Sequence, residues 1–136
     1  MTDRQQQLLD DLNLIEDAQE RLTIVVDRAR KLAPLPETQR TDEYRVPGCV
    51  SQVWLVSELS DGRCHFHCDA DGPLVKGLVA LVCEFYSETA PADIIADDTD
   101  PLAELHLLAN LSPTRRNGLA AVRATIKQFA TRQSGG

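Results

Sequence analysis

Positions 45 to 54 of the chain read Arg45-Val46-Pro47-Gly48-Cys49-Val50-Ser51-Gln52-Val53-Trp54, a stretch that sets one thiol on a Pro-Gly turn ahead of an apolar segment. Proline has a fixed φ and no N–H, and glycine readily takes a left-handed conformation, so the backbone can turn sharply here. We expect this turn to project the next side chain, Cys49, outward from the surface instead of packing it. The stretch therefore predicts an exposed thiol directly before a β-strand.

The residues after the turn predict an antiparallel hairpin. Positions 50 to 59 are rich in Val, Leu and Trp, which favour strands. Asp61-Gly62 then supplies the two residues of positive φ that a tight hairpin needs, ahead of a second strand over 63 to 68. At least two antiparallel strands are predicted.

Helices are predicted on both sides of this hairpin. Upstream, apolar residues recur at helical spacing over 8 to 15 and 17 to 32, and a loop of about a dozen residues leads from Pro34 towards the turn. Downstream, 73 to 86 is apolar on nearly every side, which is typical of a buried central helix. Three more helices are predicted to begin at Pro91, Pro101 and Pro113, since proline suits the first helical turn, and Ser112 is a candidate N-cap.

These elements predict one α+β domain, a small antiparallel sheet packed with helices, spanning residues 1–136. Its core is expected over about 7–131, and the tail from Ser134 to Gly136 is expected to fray. The net charge of −7 argues against a nucleic-acid partner, because such binding relies on clustered Lys and Arg. The polar first residues contain no signal-peptide pattern and no long apolar run follows, so we expect a cytoplasmic protein with no membrane span.

The four cysteines are interpreted as thiols, since a reducing compartment disfavours disulfides. The run Cys64-His65-Phe66-His67-Cys68 has the residue types of a zinc site, but in a strand the two histidines point away from the two cysteines. No metal is therefore predicted there. Cys68 has two open interpretations, a second thiol near Cys49 or a buried residue, and Cys83 is interpreted as part of the core.

Four motifs in order resemble the SufE family, a family of small sulfur-acceptor proteins in iron–sulfur cluster assembly. They are Gly-Cys-x-Ser-x-Val-Trp at 48 to 54, the acidic turn with Val-Lys-Gly-Leu at 69 to 78, Pro-Ala-Asp-Ile-Ile at 91 to 95, and Leu-Ser-Pro-Thr-Arg-Arg-Asn-Gly-Leu at 111 to 119. The resemblance implies a fold similar to that of IscU-type scaffolds. It also implies that Cys49 carries sulfur as a persulfide, with Gly48, Ser51 and Arg115 supporting it.

The resemblance further implies a function without a cofactor and without stand-alone enzymatic activity. The expected partner is a pyridoxal-phosphate cysteine desulfurase of the SufS or CsdA type, which the protein activates, and the sulfur then passes to an acceptor such as a SufB-type scaffold. Two alternatives stay open, an IscU-like iron–sulfur scaffold and a thiol-dependent enzyme.

A cation or a helix dipole near Cys49 would favour its thiolate. Arg45 lies four residues upstream, and Arg115 and Arg116 fall in the first turn of the last predicted helix. The alternative for the helix arginines is pairing with surface carboxylates such as Glu104 or Asp100. For Ser51 and the neighbouring Gln52, the alternatives are hydrogen bonding to the persulfide or a place on the polar face of the strand.

Overall fold

The structure, a computed structural model, describes residues 1–135 of the chain. Two antiparallel strands, β1 (Val53–Ser60) and β2 (Arg63–Ala70), form the sheet, with Val53 opposite Ala70. The turn between them has positive φ at both Asp61 and Gly62, as predicted for a tight hairpin. The first strand begins at Val53 and not at 50, because residues 47 to 52 form the loop described below.

Six helices accompany the sheet in residues 1–135. They are α1 (Asp3–Asn13), α2 (Ala18–Arg30), α3 (Pro73–Tyr86), α4 (Pro91–Ala96), α5 (Pro101–Glu104) and α6 (Pro113–Ser134), and a short 3₁₀ turn spans Glu37–Gln39. The fold is α+β, a small antiparallel sheet packed with helices, as predicted. Proline begins each of the last four helices, which confirms the predicted starts at 91, 101 and 113.

Helix α3 is the centre of the molecule. It packs against β2 on one side and against α2 and α6 on others. Every residue from Gly77 to Cys83 is buried, as the apolar sequence predicted. Gly77 permits the closest approach, because a Cβ there would lie 2.9 Å from the Cα of Val26 in α2.

Helix α3 covers one face of the sheet, and the long loop between α2 and β1 covers the other. Leu35 from this loop packs with Trp54 and Val56 of β1 in a small second cluster, joined by Tyr44. The backbone N–H of Leu35 donates to the buried carboxylate of Asp69, 3.1 Å away. The loop is therefore fixed to the sheet and carries the chain in a defined direction towards Cys49.

Polar side chains cap the first turns of α1 and α6. Thr2 and Gln5 form a reciprocal capping box on α1, and Ser112 accepts from the N–H of Arg115 at the start of α6, as predicted. Arg21 is buried in α2 and donates to the carbonyls of Leu12 and Leu105, which ties together α1, α2 and α5. Helix α6 includes Ser134, the first residue of the tail that was expected to fray, and Gly136, its last residue, lies outside the described residues.

Candidate functional site

The Cys49 loop, residues 47 to 52, stands on a rigid base. The N–H of Val46 donates to the carbonyl of Val53 at 2.9 Å, and the N–H of Leu55 donates to the carbonyl of Tyr44 at 2.9 Å. Both valines are almost fully buried. The loop is thus an extension of the sheet whose two ends are fixed while its tip has no regular backbone pairing.

Gly48 takes a φ of +88°, the left-handed conformation that the sequence predicted. It also lies tightly against α6, because a Cβ at this position would be 3.3 Å from the Cβ of Ala121. A side chain at position 48 would therefore meet both a strained backbone and a close neighbour. The glycine turns the loop back onto α6.

Cys49 points inward, so the prediction that the turn projects it outward is wrong. Its side chain is half-buried, and Sγ donates to the carbonyl of Gly118 in α6 at 3.3 Å. The physical reason is that the left-handed turn at Gly48 directs the next side chain towards α6, where Gly118 offers an accessible carbonyl and no side chain. The residue that projects outward is Val50, which is 78% exposed.

Burial raises the pKa of the Cys49 thiol, and the positive charge of Arg45 opposes this shift without overcoming it. At neutral pH the resting residue is accordingly a protonated thiol, which is a poor nucleophile. Arg45, one of the sequence candidates, is the cation that acts on this sulfur.

A small cavity of about 40 Å³ lies beside Cys49. Its wall is apolar and comes from three elements, through Val53 of β1, Val75, Leu78 and Val79 of α3, and Leu119 and Val122 of α6. Its remaining lining includes Ser51 and Arg115. A water molecule occupies about 30 Å³ in the liquid, so the cavity has room for roughly one further atom of that size.

Cys49, Ser51 and Arg115 line the same cavity, and Gly48 lies next to it as the residue before Cys49. The side chain of Arg115 is exposed and makes no hydrogen bond or ion pair with residues 1–135. The alternative of carboxylate pairing is wrong for the helix arginines, since Arg116 donates to the carbonyl of Ala109 and Asp100 pairs with Arg123.

Ser51 and Gln52 are both exposed. Gln52 accepts from the N–H of Asp71 through its backbone carbonyl, which helps to fix the end of the loop. Ser51 makes no side-chain hydrogen bond within the described part of the chain, and it lines the cavity beside Cys49.

Gly118 is a residue of the site to which the sequence analysis gave no role. A signal was present, since glycine inside a helix costs about 1 kcal/mol relative to alanine and a retained one often marks a close approach. Here the neighbour is the cysteine, and a Cβ on Gly118 would make an ordinary contact of 3.6 Å with Cys49 Sγ, so only a larger side chain would displace the sulfur.

The other cysteines lie apart from Cys49. Cys64 and Cys83 are buried, and Cys68 lines a cleft between α2 and α3 that shares no lining residue with the Cys49 cavity. The interpretation of Cys68 as a second thiol near Cys49 therefore finds no support in a shared cavity, and Cys68 is half-buried, not fully buried as the other interpretation had it. Within residues 1–135, no three His, Cys, Asp or Glu side chains are grouped so that they could hold a metal ion.

Comparisons with known proteins agree with this fold and these motifs. A family model described as SufE, Fe-S metabolism associated domain, matches residues 6–130. An uncharacterized SufE-like protein of Rhizobium etli is 36% identical over 129 residues, covering 91% of this chain and 87% of the relative. Another from Rhizobium meliloti is 33% identical, covering 91% and 92%.

A solved structure shows the same fold. The solution structure of a hypothetical protein from Thermus thermophilus aligns with a TM-score of 0.78 at 17% identity, covering 98% of this chain and 97% of the other. The fold and the Cys49 loop define a small α+β protein with a sheltered thiol. The chain belongs to the SufE family, and this membership supports a role in iron–sulfur metabolism. In the described residues, none of the helices combines the length and apolar character needed to cross a bilayer.

Proposed function

We propose that this protein accepts sulfur from a pyridoxal-phosphate cysteine desulfurase on Cys49, activates that enzyme by doing so, and relays the sulfur to iron–sulfur cluster assembly. The observation that carries the proposal is the position of Cys49, on a loop with fixed ends, beside a cavity with room for roughly one more atom. A structural core cysteine needs neither feature.

The transfer is an exchange between two sulfur atoms. The Cys49 thiolate attacks the terminal sulfur of the donor persulfide, a new S–S bond forms, and the bond to the donor cysteine breaks. The donor cysteine leaves as a thiolate, and Cys49 becomes the persulfide. No electron is gained or lost overall, so the step requires no cofactor on this chain.

The resting geometry keeps this reaction off until a partner docks. Cys49 is protonated because it is buried, and one thiol–carbonyl hydrogen bond to Gly118 is its polar attachment to α6. When the loop tip moves outward, Cys49 loses the burial that raises its pKa. Arg45, four residues earlier in the chain, still supplies a positive charge that lowers it. The same motion therefore exposes the sulfur and favours its thiolate.

The docking surface includes Val50, which leaves a large apolar side chain in water next to the reactive residue. Covering Val50 with an apolar patch of the desulfurase would draw the loop tip out of its site. The net charge of −7 suits approach to a basic surface on that partner.

The cavity gives the persulfide a shelter after the transfer. When the loop returns, the added sulfur atom fits the apolar space between α3 and α6, away from small reductants. Ser51 and Arg115, which also line this cavity, supply a hydroxyl and a positive charge for a persulfide anion during delivery to an acceptor such as a SufB-type scaffold. An IscU-like scaffold role finds no support in this arrangement, since Cys49 and Cys68 line separate cavities.

The proposal is tested by measuring sulfide release from L-cysteine by a SufS- or CsdA-type desulfurase under excess thiol reductant. Adding the wild-type protein should raise turnover, and adding Cys49→Ser should not. Cys68→Ser is the matched control, because it removes an accessible thiol outside the site and should stimulate like the wild type. Equal stimulation by Cys49→Ser, or none by the wild type with either desulfurase, would refute the proposal.

A further inference from the structure

A buried carboxylate holds the loop that leads to Arg45. Asp69 of β2 is 5% exposed, and its Oδ2 accepts a hydrogen bond from the backbone N–H of Leu35 at 3.1 Å. Its Oδ1 accepts from the N–H of Ala70 at 2.9 Å and pairs with Nζ of Lys76 in α3 at 3.5 Å. Both oxygens are therefore occupied, and the carboxylate ties together β2, α3 and the long loop between α2 and β1.

Leu35 connects this carboxylate to both neighbours of Arg45, the residue before it and its partner in the sheet. The side chain of Leu35 belongs to the same small cluster as Tyr44 and Trp54. Arg45 pairs with Trp54 as an antiparallel bridge, and Trp54 lies opposite Asp69 on its other side. Arg45, Trp54 and Asp69 thus form one row across the sheet, and the side chains of such a row share a face.

Arg45 depends on this support because its side chain is not anchored. It is exposed and makes no side-chain hydrogen bond or ion pair in residues 1–135, so its backbone pairing sets where the charge lies. That charge lowers the pKa of Cys49. Within residues 1–135, β1 and α3 line the Cys49 cavity with valine and leucine only, and Arg115 of α6 is the one charged group in the lining. Asp69 and Lys76 lie outside it.

We propose that Asp69 is a positioning residue for the Cys49 site, which holds Leu35 and its cluster against β1 and thereby fixes Arg45 at the base of the Cys49 loop. This role rests on the proposed function, in which the Arg45 charge favours the reactive thiolate. Its test measures the thiol in the absence of a desulfurase, so the role of Asp69 and the proposed function can fail separately.

The sign of the effect separates positioning from direct electrostatics. Asp69→Leu removes a negative charge and leaves Lys76 without its partner, and both changes by themselves favour the Cys49 thiolate and lower the midpoint of its titration. Displacing Arg45 has the opposite effect and raises the midpoint. Leu35→Ala changes no charge and loosens the same cluster, so it should raise the midpoint as well.

The test alkylates the full chain with iodoacetamide, an uncharged reagent, at a series of pH values. Modification of Cys49 is followed by mass spectrometry of tryptic peptide 46–63, or of peptide 41–63 where Arg45→Gln has removed a cleavage site. Neither peptide contains another cysteine. Circular dichroism confirms that each variant is folded over the pH range used.

We expect the midpoint to rise in both Asp69→Leu and Leu35→Ala, towards that of Arg45→Gln. In the Arg45→Gln background neither change should raise it further, because the charge that it displaces is already gone. Leu102→Ala is the control for a general loss of stability, since it removes a buried side chain from α5 outside the cavity and the cluster, and it should keep the wild-type midpoint.

The proposal is overturned if either variant keeps or lowers the wild-type midpoint, or if the rise persists undiminished in the Arg45→Gln background. It is also overturned if Leu102→Ala raises the midpoint equally. If Asp69→Leu does not fold, Asp69→Asn takes its place, because an amide has one acceptor oxygen and cannot keep the bonds of both carboxylate oxygens.

Discussion

The thiol of Cys49 hydrogen-bonds to the backbone carbonyl of Gly118, 3.3 Å away, and Gly118 has no side chain to occupy the space next to the sulfur. This pair joins the Cys49 loop to α6. It explains why a cysteine on a Pro-Gly turn is half-buried, and why burial raises its pKa. The contact is therefore the switch between a resting thiol and a reactive thiolate in the function proposed here.

Replacing the glycine with a large residue should release the thiol without any partner. In Gly118→Leu the side chain enters the space next to Cys49 and displaces the sulfur into water, so its pKa falls towards the ordinary value. We expect Cys49 to be alkylated severalfold faster at pH 7 than in the wild type, measured by mass spectrometry of tryptic peptide 46–63, which contains no other cysteine.

Gly118→Ala is the matched control for this variant. Its added Cβ would lie 3.6 Å from the sulfur, an ordinary contact, so Cys49 should keep its position and its slow alkylation. A wild-type rate in a correctly folded Gly118→Leu protein would show that the contact does not control the thiol.

The pH dependence of alkylation should reveal how far burial raises the pKa of Cys49 and how far the Arg45 charge lowers it. Since burial prevails, the midpoint for Cys49 should lie above the value of about 8.5 for an unperturbed thiol. Arg45→Gln removes the opposing charge and should move the midpoint further up, whereas Arg115→Gln should leave it unchanged. A lower midpoint in Arg45→Gln would contradict this account.

The same shift has a defined consequence for stability. A thiol whose pKa is raised by folding holds its proton more tightly in the native state, so its contribution is complete below the unfolded pKa and is lost as pH rises through the folded value. Chemical denaturation from pH 8 upward should therefore show a steeper decline for the wild type than for Cys49→Ser. Parallel declines would place the raised pKa in doubt.

Arg115 should act on transfer and not on folding. Its side chain is exposed and makes no polar contact in residues 1–135. Arg115→Ala is therefore expected to keep a near wild-type melting temperature and to stimulate the desulfurase less, as measured by sulfide release. Arg116→Ala is a neighbouring control that removes the bond to Ala109 and should stimulate normally. Undiminished stimulation would show that Arg115 has no role in transfer. A large loss of stability would show that its role is structural.

Most of the fold was predictable because its signals are local. Asp61-Gly62 specifies the hairpin through its own backbone preferences, and the prolines at 91, 101 and 113 begin helices for the same kind of reason. The buried helix α3 was visible in its nearly continuous apolar sequence. Three of the residues expected at the site, Cys49, Ser51 and Arg115, line one cavity, and Gly48 directly precedes Cys49. Their roles in sulfur transfer stay a prediction.

The direction in which the Cys49 side chain points was not predictable from such local signals. Whether Cys49 points outward or inward depends on the carbonyl of Gly118, which lies 69 positions along the chain, and on the tight packing of Gly48 against Ala121 of α6. The separation of Cys68 from Cys49 is set by α3, which packs between their two cavities. Such relations arise from tertiary packing, and local sequence patterns do not contain them.

The central claim is that Cys49 carries the sulfur, and locating that sulfur tests it most directly. The protein is incubated with the desulfurase and L-cysteine, free thiols and persulfides are alkylated, and the tryptic peptides are analysed by mass spectrometry. We predict one additional sulfur atom, about 32 Da, on peptide 46–63, removed by a reductant and absent from Cys49→Ser. Sulfur found instead on peptide 64–76 or 77–115, or retained by Cys49→Ser, would contradict the account.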